Sequence, residues 1–176
     1  MSGRPSVDEL RAGIPWVDGH ADVWRLFADA ALFARCVEAL VAPYRDDGIT
    51  HVVGIEARGF LLGGAAAASL GAGFVAIRKA AGHLPGSVLT EATAPDYKGD
   101  SGELRLQADA LPPGARVLIV DDWFETGSQF RAARALLERT GATLIGASVV
   151  VDETPPDLDS ILGKFTALVS ASDLSN

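Results

Sequence analysis

The densest chemistry in the chain lies in Val117-Leu118-Ile119-Val120-Asp121-Asp122-Trp123-Phe124-Glu125-Thr126-Gly127-Ser128-Gln129. The apolar run Val117 to Val120 reads as a buried strand that delivers two adjacent carboxylates to its carboxyl end. A short turn with Thr126, Gly127 and Ser128 follows and opens the next helix. Free N–H groups at a helix start, with Thr and Ser hydroxyls beside them, make a nest for one phosphate. Gly127 lets the backbone approach that phosphate closely. Carboxylates nearby can accept hydrogen bonds from sugar hydroxyls. Together these residues describe a clamp for a ribose 5-phosphate. The competing reading is that Asp121, Asp122 and Thr126 only cap the helix, as Asp, Ser and Thr commonly do.

Positioning such a clamp requires strands that end side by side. Apolar spacing predicts a helix over Ala28 to Tyr44, ended by Asp46-Asp47-Gly48. His51 to Ile55 reads as a short buried strand. Gly59 to Leu70 reads as a helix, rich in alanine so that it can lie close to a sheet, and Gly73 to Lys79 as another strand. From Ala80 to Ser101 the pattern dissolves into Gly, Pro, Ser, Thr and Asp, the composition of a long functional loop or lid. Glu103 to Gln107 alternates like an exposed strand, and Arg116 to Val120 is a strand ending at Asp121-Asp122. Ser128 to Thr140 is an amphipathic helix, and Thr143 to Val151 and Phe165 to Val169 are further buried strands. Strands alternating with helices predict an α/β fold with a mostly parallel sheet flanked by helices. Ligands in such sheets bind at the carboxyl ends of the strands. A second such end carries Ile55-Glu56-Ala57-Arg58-Gly59.

The chain has 176 residues, 48% hydrophobic and 22% charged, which suits one globular domain with its own core. Its net charge of −8 excludes a broad nucleic-acid surface, which needs a basic stripe. A phosphorylated small ligand remains compatible, because aligned backbone N–H groups hold phosphate without net positive charge. An acidic protein handling a polyphosphate is expected to work with a divalent cation. Cys36 is the only cysteine, so no intrachain disulfide is available, and its apolar flanks suggest a buried small hydrophobe. Met1 to Arg11 carries no secretion-signal pattern, and the run Phe60 to Leu70 is too short to span a bilayer. The expectation is a cytoplasmic protein with neither membrane nor nucleic-acid partners.

The segment Val117 to Gln129 resembles the phosphoribosyl-pyrophosphate signature of the type I phosphoribosyltransferases. From about Gly13 to Glu153 the chain is similar to the adenine phosphoribosyltransferases among them. Three stretches add to the likeness: Val53 to Phe60, Gly73 to Lys79, and Leu84-Pro85-Gly86. The resemblance implies one type I phosphoribosyltransferase domain over 1–176, with a small N-terminal hood at about 13–30, a core at 31–153 and a C-terminal segment at 154–176. It implies transfer of a 5-phosphoribosyl group from phosphoribosyl pyrophosphate to adenine or a related purine, with release of pyrophosphate, by a cytoplasmic homodimer. The alternative is a non-catalytic sensor of the same fold that binds phosphoribosyl pyrophosphate or a nucleotide.

Carried over residue by residue, the resemblance puts Asp121 and Asp122 on the ribose hydroxyls. It puts Glu125, Thr126, Gly127, Ser128 and Gln129 around the 5-phosphate. Ala57 and Arg58 fall in the pyrophosphate loop, where the peptide after the acidic residue is often cis. Arg78, Lys79, His83 and Tyr97 are placed to reach pyrophosphate, although an exposed Arg-Lys pair is more ordinarily just solvated. Trp24 and Arg25 fall where a hood pair borders the base; an indole suits stacking on a purine and suits a core equally. Asp96, in the lid, stands where the adenine enzymes carry a proton-donating Glu. Mg²⁺ is implied as cofactor, held by the substrate with no dedicated protein cage, Asp121 and Asp122 being the carboxylates available to it.

The sequence departs from the family pattern in the phosphate turn, which normally reads Ala-Thr-Gly-Gly-Thr and here reads Glu125-Thr126-Gly127-Ser128-Gln129. A carboxylate aimed at the phosphate would be repelled by about 1–4 kcal/mol at ~4 Å. Glu125 is therefore expected to point away, either to solvent or to the base, where it would join Asp96 and Arg58 as a catalytic candidate. His83 stands where a Lys is usual, Asp96 replaces the lid Glu, and the tail after Glu153 has no clear likeness.

Overall fold

The computed structural model describes residues 3–80, 83–94, 102–154 and 163–174. Its centre is a sheet of seven strands: β3 (His51–Ile55), β4 (Gly73–Lys79), β5 (Val88–Ala92), β6 (Glu103–Gln107), β7 (Arg116–Phe124), β8 (Thr143–Asp152) and β9 (Lys164–Ser170). Their order is β5-β6-β4-β3-β7-β8-β9. Strands β4, β3, β7, β8 and β9 run parallel, while the β5–β6 hairpin joins antiparallel at one edge. The expected α/β class with a mostly parallel sheet is what the chain forms.

Alternation along the central strands splits the core into two layers. On β7, Val117 and Ile119 face one layer and Leu118 and Val120 the other. The first layer is closed by α5 (Ser128–Thr140) through Phe130, Ala133, Leu136 and Leu137. The second is closed by α3 (Ala30–Val41) and α4 (Arg58–Leu70), with Leu32, Cys36, Leu40, Leu62 and Ala66. Cys36 is fully buried there, and burial pushes its thiol up to about 12. Helix α4 lies very near β3 because glycines line the contact: a Cβ on Gly54 would come within 2.1 Å of the Gly59 carbonyl oxygen.

The N-terminal segment adds α1 (Val7–Gly13), a two-stranded hairpin of β1 (Trp16–Val17) and β2 (His20–Ala21), and α2 (Trp24–Ala28). Ser6 and Glu9 form a capping box at the start of α1. Asp18 and Gly19 take φ of 50° and 79° at the hairpin turn, where glycine at the second position relieves the strain. Leu10, Ile14, Val23 and Leu26 are fully buried and tie this segment to the α3–α4 layer. A short α6 (Ala171–Leu174) ends the described chain.

Three expectations change. The stretch from Ala80 to Ser101 is not loop throughout, since Val88–Ala92 pairs with β6 along five residues. Strand β6 is less exposed than its alternation implies, because Leu104 and Leu106 face the core under α5. Strand β7 does not stop at Val120; it runs through both aspartates to Phe124, held by pairing of Asp121, Trp123 and Phe124 with Val149, Val151 and Asp152 of β8.

Candidate active site

The carboxyl ends of β3, β4, β7 and β8 open into one cavity of about 900 Å³. The hairpin and α2 form its far wall through Trp16, His20 and Trp24, the last of which is 56% exposed. Of the residues singled out from sequence, Trp24, Ala57, Arg58, Lys79, Asp121, Asp122, Glu125, Thr126, Gly127, Ser128 and Gln129 line this cavity. Arg25, Arg78 and His83 are not in its wall. Asp96 and Tyr97 lie outside the described residues.

Asp122 is 5% exposed, with Arg58 Nε 3.0 Å from its Oδ2. That approach is not aligned as a hydrogen bond, and Oδ2 is a buried acceptor without a hydrogen-bond partner among the described residues. A buried carboxylate oxygen in that condition carries a desolvation cost that a donor from a ligand would relieve. Asp121 accepts the backbone N–H of Asp122 at 2.9 Å through Oδ1. Burial first, and the neighbouring charge of Asp122 second, push its carboxyl well above the ordinary aspartate range. Gly59 permits the aspartate's position: a Cβ there would fall 2.8 Å from Asp121 Oδ1.

The capping reading of the acidic pair does not survive the geometry. Both aspartates sit inside β7, and the cap of α5 is Gly127, at φ 69°, with no side chain capping it. Only the Thr126 hydroxyl reaches back, accepting from the Ser128 N–H at 3.3 Å. The first turn of α5 thus presents backbone N–H groups to the cavity, with no acidic residue among them. The Ser128 hydroxyl donates to the Ala94 carbonyl at 2.9 Å, fastening the end of the β5 segment to this helix start.

The loop after β3 is braced from beneath. The Glu56–Ala57 peptide is cis, at the place where the resemblance implies one. The guanidinium of Arg78 forks onto Glu56, with Nη2 to Oε1 at 2.8 Å and Nε to Oε2 at 3.1 Å. The Lys79 N–H also donates to Glu56 Oε2 at 3.1 Å, and Arg78 Nη1 donates to the His83 carbonyl. The Arg78 fork, more than the Lys79 N–H, holds the Glu56 carboxyl below its ordinary value. Arg78 therefore supports the loop while Lys79, the next residue, reaches the cavity. Arg25 turns outward to Asp22 at 3.0 Å.

Sequence reasoning missed several wall residues, among them His20, Trp123 and Glu153. The indole Nε1–H of Trp123 donates to Glu153 Oε2 at 2.8 Å, a pair thirty residues apart that only the pairing of β7 with β8 brings together. Six carboxylates (Glu56, Glu103, Asp121, Asp122, Glu125 and Glu153) but only two of the Lys and Arg side chains, Arg58 and Lys79, are among the described residues lining the cavity. Several of these carboxylates are already paired with arginines, Glu56 with Arg78, Asp122 with Arg58 and Glu103 with Arg105.

Comparison with known proteins gives a consistent picture. Residues 25–160 match the family model described as the phosphoribosyl transferase domain. The chain is 47% identical over 131 residues to adenine phosphoribosyltransferase of Paracoccus denitrificans, a match spanning 74% of this chain and 68% of that one. It is 45% identical over 137 residues to the protein of the same name from Bradyrhizobium sp. strain ORS 278, spanning 78% and 74%. The crystal structure of the Giardia lamblia adenine phosphoribosyltransferase complexed with 9-deazaadenine superposes with a TM-score of 0.83 at 31% identity, covering 94% of this chain and 98% of that one. With a family model matched over most of its length and its strand-end cavity built on the same fold, this chain belongs to the phosphoribosyltransferase family, among relatives named adenine phosphoribosyltransferase.

Proposed function

We propose that this chain transfers the 5-phosphoribosyl group of phosphoribosyl pyrophosphate to a purine base, adenine or a related purine, and releases pyrophosphate. The observation that carries this reading is the meeting of the Asp121–Asp122 pair, Arg58 and the start of α5 in one cavity. In this assignment Asp121 and Asp122 accept from the ribose hydroxyls. Thr126, Gly127, Ser128 and Gln129 hold the 5-phosphate, chiefly through backbone N–H groups. Ala57, Arg58 and Lys79 meet the pyrophosphate, His83 and Tyr97 are assigned to it with them, and Arg78 acts from behind through Glu56. Trp24 borders the base, and Arg25 reaches it only by leaving Asp22. Glu125 and Asp96 are the acid–base candidates.

The chemistry asks little covalent work of the protein. A base nitrogen attacks the anomeric carbon, the bond to pyrophosphate oxygen breaks, and the configuration inverts. The residues supply position, charge complementarity and exclusion of water. Mg²⁺ fits the acidic wall and the Oδ2 of Asp122, which faces Arg58 but makes no hydrogen bond among the described residues. Carried in on the substrate and accessible to Asp121 and Asp122, it would neutralise charge on the leaving pyrophosphate. The assignment extends to one domain with a hood over about 13–30, and to a cytoplasmic homodimer. Exposed Leu61 and Phe74 on neighbouring α4 and β4 offer an apolar surface for the second copy.

The test is release of pyrophosphate from phosphoribosyl pyrophosphate with Mg²⁺, screened against adenine, guanine, hypoxanthine, xanthine and modified purines. Turnover with adenine or a close relative is expected. Saturable binding with no turnover on any base would put the sensor reading in its place.

A further inference from the structure

Trp123 and Glu153 occupy the cavity wall, and the sugar-phosphate clamp uses neither. Trp123 is the residue after Asp122 on β7, and Glu153 is the residue after β8. The Glu153 N–H donates to the Phe124 carbonyl at 2.8 Å, which fixes the backbone of the glutamate against the neighbouring strand. The Trp123 indole then fixes the side chain by donating to Oε2 at 2.8 Å. A carboxylate tethered at both ends has a defined direction in place of the usual rotamer freedom of glutamate. Oε1 carries no hydrogen bond among the described residues and is left to accept from a ligand.

Position gives this pair its meaning. The body of Trp123 packs against the core layer that holds Ile14, Val23 and Leu26 of the N-terminal segment. It lines the same cavity as the aspartate pair and the hairpin wall of Trp16, His20 and Trp24. On the transfer reading, a base joined to a ribose held by Asp121 and Asp122 enters this same cavity, whose wall includes Trp123 and Glu153. A carboxylate can only accept hydrogen bonds, so it rewards an N–H at that edge of the base and is left desolvated by a group lacking one.

We propose that the Trp123–Glu153 pair selects the base, Glu153 accepting a hydrogen bond from the exocyclic amino group of an aminopurine while the Trp123 indole holds the carboxylate in place. The proposal rests on the transfer reading above. A site built to pair a donor discriminates against an analogue lacking it far more strongly than an apolar pocket discriminates by size.

Adenine and 6-methylpurine are the probes, because the methyl group keeps the shape and removes the donor. Two readouts are taken: pyrophosphate release, and calorimetric binding of each base with ribose 5-phosphate present. The wild-type protein is expected to favour adenine by about tenfold or more in both. Glu153→Leu is expected to bring that ratio close to one, and Glu153→Gln, which keeps an acceptor, to retain part of it. Trp123→Phe keeps an aromatic body but loses the N–H, and is expected to lower the ratio with the KM for phosphoribosyl pyrophosphate unchanged. A preference that survives Glu153→Leu, or that is absent from the wild type, overturns the pair's role even if turnover is robust. A binding preference that disappears in Glu153→Leu, in a protein without turnover, upholds the pair and overturns the transfer reading. Absence of both binding and turnover overturns both.

Discussion

Arg58 Nε stands 3.0 Å from Asp122 Oδ2, so the loop after β3 and the far end of β7 meet across a charge pair at the floor of the cavity. Asp122 is buried while Arg58 keeps 36% of its side chain exposed, so the aspartate is the partner that suffers if the pair is broken. Arg58→Gln leaves a buried carboxylate without a cation. Solvent access on the arginine side reduces the cost below that of a fully buried pair, to about 1–2 kcal/mol. The larger effect falls on kcat/KM, expected to drop about 100-fold because a cation aimed at developing charge is lost. Thermal melting and steady-state kinetics separate the two, and a variant with wild-type kcat/KM would remove Arg58 from the site.

Gly59 tests how finely Asp121 is placed. A Cβ at Gly59 would sit 2.8 Å from Asp121 Oδ1 and 3.1 Å from its Cγ, so Gly59→Ala must push the carboxylate aside. The backbone is already helical and alanine favours helix, so folding stability is expected to change by less than ~1 kcal/mol. Activity is expected to fall at least ~10-fold through displacement alone. Gly54→Ala is the contrast: its Cβ would meet the Gly59 carbonyl oxygen at 2.1 Å, backbone against backbone. That variant is expected to lose about 3 kcal/mol in chemical denaturation. Equal effects of the two substitutions would contradict this division.

Much of the frame was legible because apolar runs here are cleanly bounded. His51–Ile55, Gly73–Lys79, Glu103–Gln107 and Ser128–Thr140 form with the limits their periodicity and flanking Gly or Asp predict. The aspartate pair was legible as a site, but its place inside a strand was not. Charged residues read as a strand end, and only ladder pairing with β8 keeps Asp121 to Phe124 extended. Strands of two residues have no periodicity, so the Trp16–Val17/His20–Ala21 hairpin was hidden, although Asp18-Gly19 is a hairpin-turn signal. The Ser6-x-x-Glu9 capping box likewise marks α1, but the helix behind it is only seven residues long. The Trp123–Glu153 bond has no local signature at all, because it joins residues whose proximity depends on the register of β7 with β8.

Asp121 should set a trade between stability and activity. Its folded-state carboxyl titrates well above the ordinary aspartate value, with burial the larger cause and Asp122 the next. A raised carboxyl means that the native state holds the proton more tightly than the unfolded chain. Its contribution is therefore intact below the unfolded value and is lost as pH rises through the folded value. Asp121→Asn keeps an acceptor for the Asp122 N–H and removes the ionisation. The variant is expected to melt higher than wild type near pH 8, with the difference vanishing in acid, and to lose nearly all activity. A melting temperature at pH 8 no higher than wild type would show that the charge carries no cost.

Glu125 replaces the small residue usual at the head of the phosphate turn and lines the cavity. If it serves the base as proton donor or acceptor, Glu125→Gln keeps size and polarity and removes the titrating group. The expected result is a fall of about 100-fold in kcat with the KM for phosphoribosyl pyrophosphate unchanged. A rise in that KM at constant kcat would instead assign Glu125 to the phosphate turn. Unchanged turnover on the preferred base would leave it a helix-start carboxylate favoured by the dipole.

The N-terminal segment forms the hairpin wall of the cavity, and a glutamate far from that cavity helps hold it. Glu9 receives Arg35 Nη1 and Nη2 at 2.7 and 2.6 Å and also closes the capping box with Ser6. Those bonds, Arg35 first, lower its carboxyl from 4.5 to about 2. A lowered carboxyl contributes stability that is fully present above the unfolded value of 4.5 and lost as pH falls through about 2. Glu9→Gln cannot fork with Arg35 as a carboxylate does, so α1 should loosen even at neutral pH. Hydrogen exchange of Leu10 and Arg11 amides is expected to quicken in the variant, and its stability gap from wild type to stay constant above pH 4.5 and close toward pH 2. Because α1 packs against α6 and β9, to which Arg11 and Arg4 also bond, loosening should spread to that edge before it reaches the aspartates on β7. A variant whose exchange quickens first around Asp121 and Asp122 would place the glutamate's effect in the site itself.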